Sequence, residues 1–305
     1  MKLNTKKLAF GRHESFALRF AWLTKGFNAL AKDKQIFTSD DSTVELGVGK
    51  NMVLSIRFWL RACQLINKEN TPTEIGTLVF GKKGLDPYLE DEGTIWLLHW
   101  LLANNPEEAT VVFWFFNKFH KPVFTAEEFN TSLSDYIRDL RLGNKAPSVS
   151  TMKNDVSLIT RMYTLSKPSA RAPLEDSLDS PMASLGILSK ATDGKNFIAK
   201  SEARESLPPL VLGFAVLQMM KARQLTSIPL DELMYSRDVY AAVGAVFRLT
   251  ENDLIKKMEQ LIMQVPGIFE IRDTAGIYQL YLLKEVEELE LLSVFYGKEL
   301  TEVAA

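Results

Sequence analysis

Two glycines interrupt a segment that otherwise has the residue spacing of a helix. Residues 44–66 are VELGVGKNMVLSIRFWLRACQLI, and after the break the apolar residues recur at steps of three and four. Glycine destabilises a helix interior by roughly 1 kcal/mol relative to alanine. Gly47 and Gly49 therefore predict a turn between two helices. A helix, a short turn containing glycine and a second helix form the helix-turn-helix pattern, which is typical of DNA-binding proteins.

The residues that begin the second of these helices have side chains suited to DNA. Lysine binds guanine or phosphate, and asparagine binds adenine through the major groove. Residues 72–84, PTEIGTLVFGKKG, are predicted to form a strand, a turn and a strand, which would be a wing with two cations for phosphate. The DNA contacts predicted for this first unit are Lys50, Asn51, Ser55, Arg57, Lys82 and Lys83.

A similar pattern follows at residues 122–200. Thr125, with Glu128 three positions later, forms a capping box that predicts a helix start, and Ser150 is a candidate cap for a further helix. Residues 185–200 predict two strands that turn at Asp193-Gly194. This is a second predicted winged helix, and its expected DNA contacts are Thr151, Lys153, Asn154, Lys190 and Lys195.

A third unit is predicted nearer the C-terminus. Residues 227–235 and 249–263 are predicted helices, and residues 267–283 alternate as a hairpin that turns at residues 274–276. Glu251-Asn252-Asp253 would repel phosphate at the start of the second helix, which indicates a protein-facing or structural role.

Together these patterns predict a mainly α fold with short β-hairpins (α+β), in which tandem winged helix-turn-helix units are joined by apolar helices. The expected domains are residues 1–120, 121–205 and 206–305. The joining helix at residues 207–224 is apolar almost all round, so it is predicted to be buried. Residues 166–181 are rich in Ser and Pro and are predicted to be a linker.

Charge and cysteine content exclude several classes of protein. The formal net charge of −2 excludes a histone-like basic protein, but residues 1–63 carry eleven Lys and Arg against five acidic residues, a local excess of +6. The single cysteine, Cys63, excludes a disulfide framework and a cysteine-based zinc site. No apolar run approaches the ~18 residues of a membrane span. We therefore expect a cytoplasmic protein without a membrane partner.

Two polar clusters are candidates for chemistry. His13 lies between Arg12 and Glu14 and is predicted to be exposed at a helix start, whereas His99 and His120 lie beside aromatic residues and are predicted to be in the core. The segment DPYLEDEGT supplies carboxylates that could hold Mg²⁺ or Mn²⁺, with His13 moving a proton and Arg12 gripping a phosphate. The candidate catalytic residues are His13, Glu14, Asp86, Glu90 and Asp91, of which Asp86, Glu90 and Asp91 are the candidate metal ligands.

The same carboxylates have a simpler interpretation. Acidic residues are favoured at helix N-termini, so this segment could be a solvated loop that caps the helix beginning near Thr94. No Walker loop or dinucleotide-binding motif is present, so no nucleotide or organic cofactor is expected.

Three segments carry a resemblance to a known family. FGRHESFALRFAWLTKGF, LGVGKNMVLSIRFWL and GLDPYLEDEGTIWLLHWLLA resemble the SspB-like family of bacterial DNA phosphorothioation (SspABCD) defence clusters. The match is specific over residues 9–120 and looser beyond them. The resemblance implies a component that binds double-stranded DNA and is associated with strand nicking. It also implies a cysteine desulfurase, a sulfurtransferase and an ATPase as partners. It assigns no catalytic residue.

Three functions follow as hypotheses. The first is a DNA-binding component of a phosphorothioation system that nicks DNA with a divalent metal. The second is a winged-helix transcriptional regulator, which usually has a dimerising element and a ligand pocket, neither evident here. The third is a non-catalytic adaptor whose winged helices hold the other modification proteins together.

Overall fold

The glycine break ends one helix and lets another begin, as predicted. The computed structural model describes residues 1–166, 180–235, 239–274 and 276–297. Gly47 ends the first helix in the left-handed region (φ +58°), and Gly49 precedes the second helix in extended backbone. The fold is mixed, about half helical with two small antiparallel sheets.

The chain forms two compact units. Unit A comprises residues 4–115 and 119–200, and unit B comprises residues 1–3, 116–118 and 201–305. The predicted division into three domains remains a prediction. No helix in the described part of the chain is both long and apolar enough to cross a bilayer.

The first part of unit A is helical. Its helices bury a core rich in tryptophan, phenylalanine and leucine. His99 belongs to this core, but His120 is exposed, so the prediction that both are core histidines is wrong for His120. The helices are α1 (Phe20–Lys32), α2 (Ser42–Leu46), α3 (Lys50–Ala62), α4 (Glu74–Phe80), α5 (Glu92–Ala103) and α6 (Thr110–Asn117), of which the last two residues of α6 are assigned to unit B.

Helix α4 replaces the wing predicted for the first unit. Thr73 Oγ1 accepts a hydrogen bond from the Gly76 N–H (3.1 Å) and caps the helix. Gly76 is needed here because a Cβ would lie 2.2 Å from the Leu65 carbonyl oxygen. The β-branched residues of this segment favour a strand locally. The cap and the close packing of α4 outweigh that preference, and the predicted hairpin is wrong.

The second part of unit A contains a three-stranded sheet. β1 (Val123–Thr125) leads into α7 (Ala126–Asp139), which opens with the predicted Thr125–Glu128 capping box. Helix α8 (Val149–Tyr163) follows, capped by Ser148 rather than by the predicted Ser150. The predicted hairpin is confirmed as β2 (Ser189–Lys190) and β3 (Asn196–Ile198). The strand order is β1-β3-β2, with Phe124 opposite Phe197.

Unit B has a similar order of elements, with one additional short helix before the long helix that precedes the hairpin. Its first strand leads into a helix, and its last two strands form the predicted hairpin, although Ala275 of the turn lies outside the described residues. The helix predicted for residues 227–235 begins only after a strand. The elements are α9 (Pro209–Arg223), β4 (Ser227–Pro229), α10 (Leu230–Met234), α11 (Val243–Phe247), α12 (Glu251–Gln264), β5 (Phe269–Thr274), β6 (Ile277–Leu282) and α13 (Glu288–Phe295).

The two sheets have the same topology. In unit B the order is β4-β6-β5, so in each unit the last strand is central and the first strand pairs with it. Helix α9 is buried along most of its length, as its all-apolar sequence predicts. Most of the predicted linker, residues 167–179, lies outside the described residues.

Candidate functional site

His13 is buried, not exposed as predicted. Its Nε2 lies 2.5 Å from Asp155 Oδ1, and its Nδ1 accepts a hydrogen bond from the Ser15 N–H (3.0 Å). Because Nδ1 is an acceptor, Nε2 carries the ring proton and donates it to the carboxylate. Both ring nitrogens are therefore occupied, and His13 fastens its loop to α8 instead of facing the acidic segment.

Asp155 is the residue at this site that sequence analysis missed. It lies in the interior of α8, and its carboxylate also accepts a hydrogen bond from the Gly11 N–H (3.1 Å). The available signal was an acidic residue on the face that also carries Met152, Val156 and Ile159. A carboxylate on an apolar helix face must have partners when it is buried, so it indicates a contact from elsewhere in the chain.

The loop from Ala9 to Phe16 is strained and firmly held. Glu14 and Ser15 have positive φ values of 51° and 65°, which cost non-glycine residues roughly 1–3 kcal/mol each. Two further hydrogen bonds offset this strain. Arg161 Nη2 donates to the Ser15 carbonyl (2.8 Å), and Trp59 Nε1 donates to the Phe16 carbonyl (3.1 Å).

The acidic segment forms a helix start. The two oxygens of the buried Asp86 carboxylate accept hydrogen bonds from the backbone N–H groups of Glu90 (2.8 Å) and Asp91 (3.2 Å). Asp91 caps α5 by accepting from the Gly93 N–H (2.7 Å). Glu90 is exposed. This is the simpler of the two interpretations of these carboxylates.

The predicted metal ligands do not form a three-residue cluster. Across residues 1–166, 180–235, 239–274 and 276–297, no three His, Cys, Asp or Glu side chains come together in a group that could hold a metal ion. The physical reason is that Asp86 and Asp91 direct their oxygens at backbone N–H groups.

Arg12 projects from the same loop and lies among side chains of both charges. Its side chain is 57% exposed, and its Nη1 is 3.9 Å from Glu108 Oε2. The pKa of Arg61 is lowered, first by burial and next by the nearby Arg57, and Arg12 adds a smaller effect. Nearby, Lys68 Nζ forms an ion pair with Glu107 Oε2 at 2.8 Å. Glu108 and Glu69 act in the opposite direction on the pKa of Arg61, so acidic side chains already balance part of the positive charge here.

The predicted DNA contacts of the first helix-turn-helix are only partly accessible. Lys50 and Asn51 are exposed at the start of α3, and Arg57 is half-buried. Ser55 is fully buried, so its predicted role in contacting DNA is wrong. It is buried because it lies beside Ile56 on the α3 face that packs on the core. Lys82 and Lys83 are exposed after α4.

The predicted contacts of the second helix-turn-helix are nearly all exposed. They are Lys153 and Asn154 on α8 and Lys190 and Lys195 on the hairpin, whereas Thr151 is half-buried. Asp193 holds the hairpin turn by accepting from the Lys195 N–H (2.8 Å) and the Asn196 N–H (2.9 Å). These hydrogen bonds, the Asn196 N–H foremost, keep the pKa of Asp193 below its usual value. The hairpin therefore presents its lysines from a defined turn.

Known structures resemble this chain over nearly its full length. One, described as "SspB crystal structure", has a TM-score of 0.80 and 28% identity and covers 94% of this chain and 88% of the other. Another, "Magnesium ion-bound SspB crystal structure", has a TM-score of 0.80 and 28% identity, with 96% and 89% covered. They confirm the predicted likeness to SspB.

Sequence comparison agrees with the structural one. No curated protein matches the chain. A family model described as "Protein of unknown function (DUF4007)" matches residues 10–296. That match covers nearly the whole chain, so the chain belongs to the DUF4007 family.

Proposed function

We propose that this protein is a DNA-binding component of a bacterial DNA phosphorothioation system. The likeness to SspB supports the system, and the topology of the two sheets supports the mode of binding. A strand, two helices and a hairpin, with the last strand central, form a winged helix-turn-helix. In this proposal α8 is the recognition helix of unit A, and the β2–β3 hairpin is its wing.

The exposed cations of α8 and its hairpin carry the proposal. Lys153 and Asn154 are exposed in the first half of α8, and Lys190 and Lys195 are exposed on the hairpin. Asparagine recognises adenine with two hydrogen bonds, and lysine binds guanine or phosphate. A helix that offers such groups beside a basic wing can contact base edges and the flanking phosphates together.

Unit B is proposed to face protein. Its corresponding helix, α12, begins with the exposed Glu251, and Asp253 is buried and accepts a hydrogen bond from the Arg204 N–H (3.1 Å). An acidic helix start repels phosphate. The partners proposed for this unit are the other phosphorothioation proteins, namely a cysteine desulfurase, a sulfurtransferase and an ATPase.

Nicking with a divalent metal is a narrower proposal. It is motivated by the solved structure described as magnesium ion-bound SspB. Asp86, Glu90 and Asp91 do not fit a three-carboxylate site, since hydrogen bonds to backbone N–H groups occupy Asp86 and Asp91. We therefore derive no cleavage step from them. Supercoiled plasmid incubated with Mg²⁺, Mn²⁺ or EDTA tests nicking, and plasmid that stays intact with both metals would exclude it.

DNA binding is tested with a lysine triple variant and a matched control. Lys153→Ala/Lys190→Ala/Lys195→Ala removes three exposed cations from the proposed surface, and Lys25→Ala/Lys32→Ala/Lys34→Ala removes three from α1 and the turn after it. Fluorescence anisotropy with a duplex should show at least tenfold weaker binding for the first variant. For this variant, the slope of log Kd against log salt concentration should fall by about 0.9 for each phosphate that is no longer neutralised. If the two triple variants bind DNA equally well, the lysines of α8 and its hairpin are not the DNA contacts, and the adaptor hypothesis remains.

A further inference from the structure

We infer that Asp155 and His13 are positioning residues that hold Arg12 as part of the DNA-binding surface of α8. The inference rests on the proposed function and adds a loop from the start of the chain to the recognition helix. Arg12 lies between Gly11 and His13, and both of these neighbours bond the same Asp155 carboxylate.

The backbone of Arg12 is fixed from both sides. Gly11 donates its N–H to Asp155 Oδ1 at 3.1 Å, and His13 Nε2 donates to the same oxygen at 2.5 Å. Gly11 also packs on Thr151, because a Cβ at position 11 would lie 2.8 Å from Thr151 Cγ2. Thr151 and Asp155 are one turn apart on one side of α8, so the Arg12 backbone lies against the first half of this helix. Asn154 lies about 100° round the helix from Asp155, and Lys153 lies on the opposite side, about 160° away.

The Arg12 side chain is available to a phosphate. It remains 57% exposed, and its contact with Glu108 is 3.9 Å long, near the limit for an ion pair. Glu108 is buried, but the Arg12 guanidinium has five N–H donors and is more than half exposed, so it can bind a phosphate while it stays near Glu108. A guanidinium binds phosphate with two parallel hydrogen bonds, which requires that its backbone be held in place.

The histidine ring makes Asp155 difficult to replace. An asparagine at position 155 could accept a hydrogen bond from the His13 Nε2–H through its oxygen, but then its amide would face Gly11 N–H as a second donor. In the other orientation, the amide would donate to Nε2, which would move the ring proton to Nδ1, opposite the Ser15 N–H. In the first orientation the oxygen at the Oδ1 position can still accept from both groups, but the amide replaces Oδ2, which Gly11 N–H also approaches at 3.3 Å, and the carboxylate charge is lost. Asp155→Asn therefore weakens the attachment of the loop in either orientation.

The experiment is a double-mutant cycle on DNA affinity. Arg12→Ala should weaken duplex binding severalfold and reduce the salt slope by about 0.9. Asp155→Asn should cause the same two changes, and the double variant should bind within about twofold of Arg12→Ala alone, because both changes remove the same phosphate contact. A residue with a merely structural role would lower the thermal midpoint of unfolding without changing the salt slope.

Two controls keep the result decisive. If Asp155→Asn does not fold, judged by circular dichroism, Gly11→Ala displaces the same loop from Thr151 without removing a buried charge and should give the same loss of affinity. Lys25→Ala should change neither affinity nor slope. If the salt dependence of DNA binding is unchanged in Asp155→Asn or Gly11→Ala, the inference is wrong. It is also wrong if the affinity losses of the two single variants multiply in the double variant. Neither result would affect the proposed function. Equal binding by wild type and the lysine triple variant would overturn the proposed function and the inference with it.

Discussion

His13 and Asp155 are separated by 142 positions in the chain, yet their side chains lie 2.5 Å apart. The contact joins a loop near the N-terminus to the interior of α8, which is the proposed recognition helix of unit A. Residues that precede the first helix therefore pack on the first half of α8, the same half of the helix that carries Lys153 and Asn154 on its other sides. Both partners are buried, so their hydrogen bond is protected from competing water.

The two proposed helix-turn-helix segments should contribute unequally to the proposed DNA binding. Lys153→Ala/Asn154→Ala on α8 should reduce duplex affinity more than Lys50→Ala/Asn51→Ala on α3. The reason is that a hairpin with exposed lysines follows α8, whereas α4 replaces the wing that was predicted after α3. Removing one specific interaction with a base costs about 1–3 kcal/mol. Anisotropy titrations at one salt concentration compare the pairs, and a larger effect of the α3 pair would contradict this assignment.

The carboxylate of Asp91 should act as a helix cap. Asp91→Ala removes the acceptor of the Gly93 N–H and should lower the free energy of unfolding by about 1 kcal/mol. Asp91→Ser restores a capping oxygen and should recover most of that stability. Urea unfolding measures both variants, with exposed Glu90→Ala as the control. If serine fails to restore stability while alanine abolishes Mg²⁺ binding in calorimetry, Asp91 is a metal ligand instead.

The glycine break should depend on one glycine more than on the other. Gly47 has φ +58°, so Gly47→Ala should destabilise the protein by about 1 kcal/mol although nothing lies within 4 Å of the added methyl. Gly49 has φ −66° and is equally open, so Gly49→Ala should change stability by less than about 0.5 kcal/mol. Equal effects in chemical denaturation would show that the left-handed conformation is not what selects Gly47.

The protein should lose stability at alkaline pH. Burial raises the pKa of the Cys63 thiol to about 12 from its ordinary 9, and burial also raises the pKa of Tyr163. Because both pKa values are higher in the folded state, this stability is fully present below the unfolded pKa of Cys63. It falls as pH rises from 9 toward 12.

A cysteine variant isolates one of these groups. Above about pH 9 the free energy of unfolding of Cys63→Ala should decline less steeply with pH than that of the wild type. The two slopes should differ by up to roughly 1 kcal/mol per pH unit. Cavity formation will lower its stability at every pH, so the slopes are compared rather than the absolute values. Parallel slopes for wild type and variant would show that the Cys63 thiol does not titrate on unfolding.

The sequence by itself determined the local features of this protein. The turn at Gly47, the capping box of Thr125 with Glu128 and the hairpin at Asp193-Gly194 occur where they were predicted. Each depends on interactions within about four residues: a left-handed backbone, a side chain that reaches a nearby N–H, or a short hairpin loop. Such interactions are fixed by residue type and spacing alone. The likeness to SspB was also visible in short segments of sequence.

Tertiary structure decided the features that depend on distant residues. Residues 74–80 form a helix because Gly76 allows close packing on Leu65, although their side chains favour a strand. Ser55 is buried because α3 turns that face toward the core. His13 is paired with Asp155 because the fold brings α8 beneath the N-terminal loop. No local pattern marks these partners, since burial and hydrogen bonding between distant segments are properties of the packed chain rather than of residue spacing.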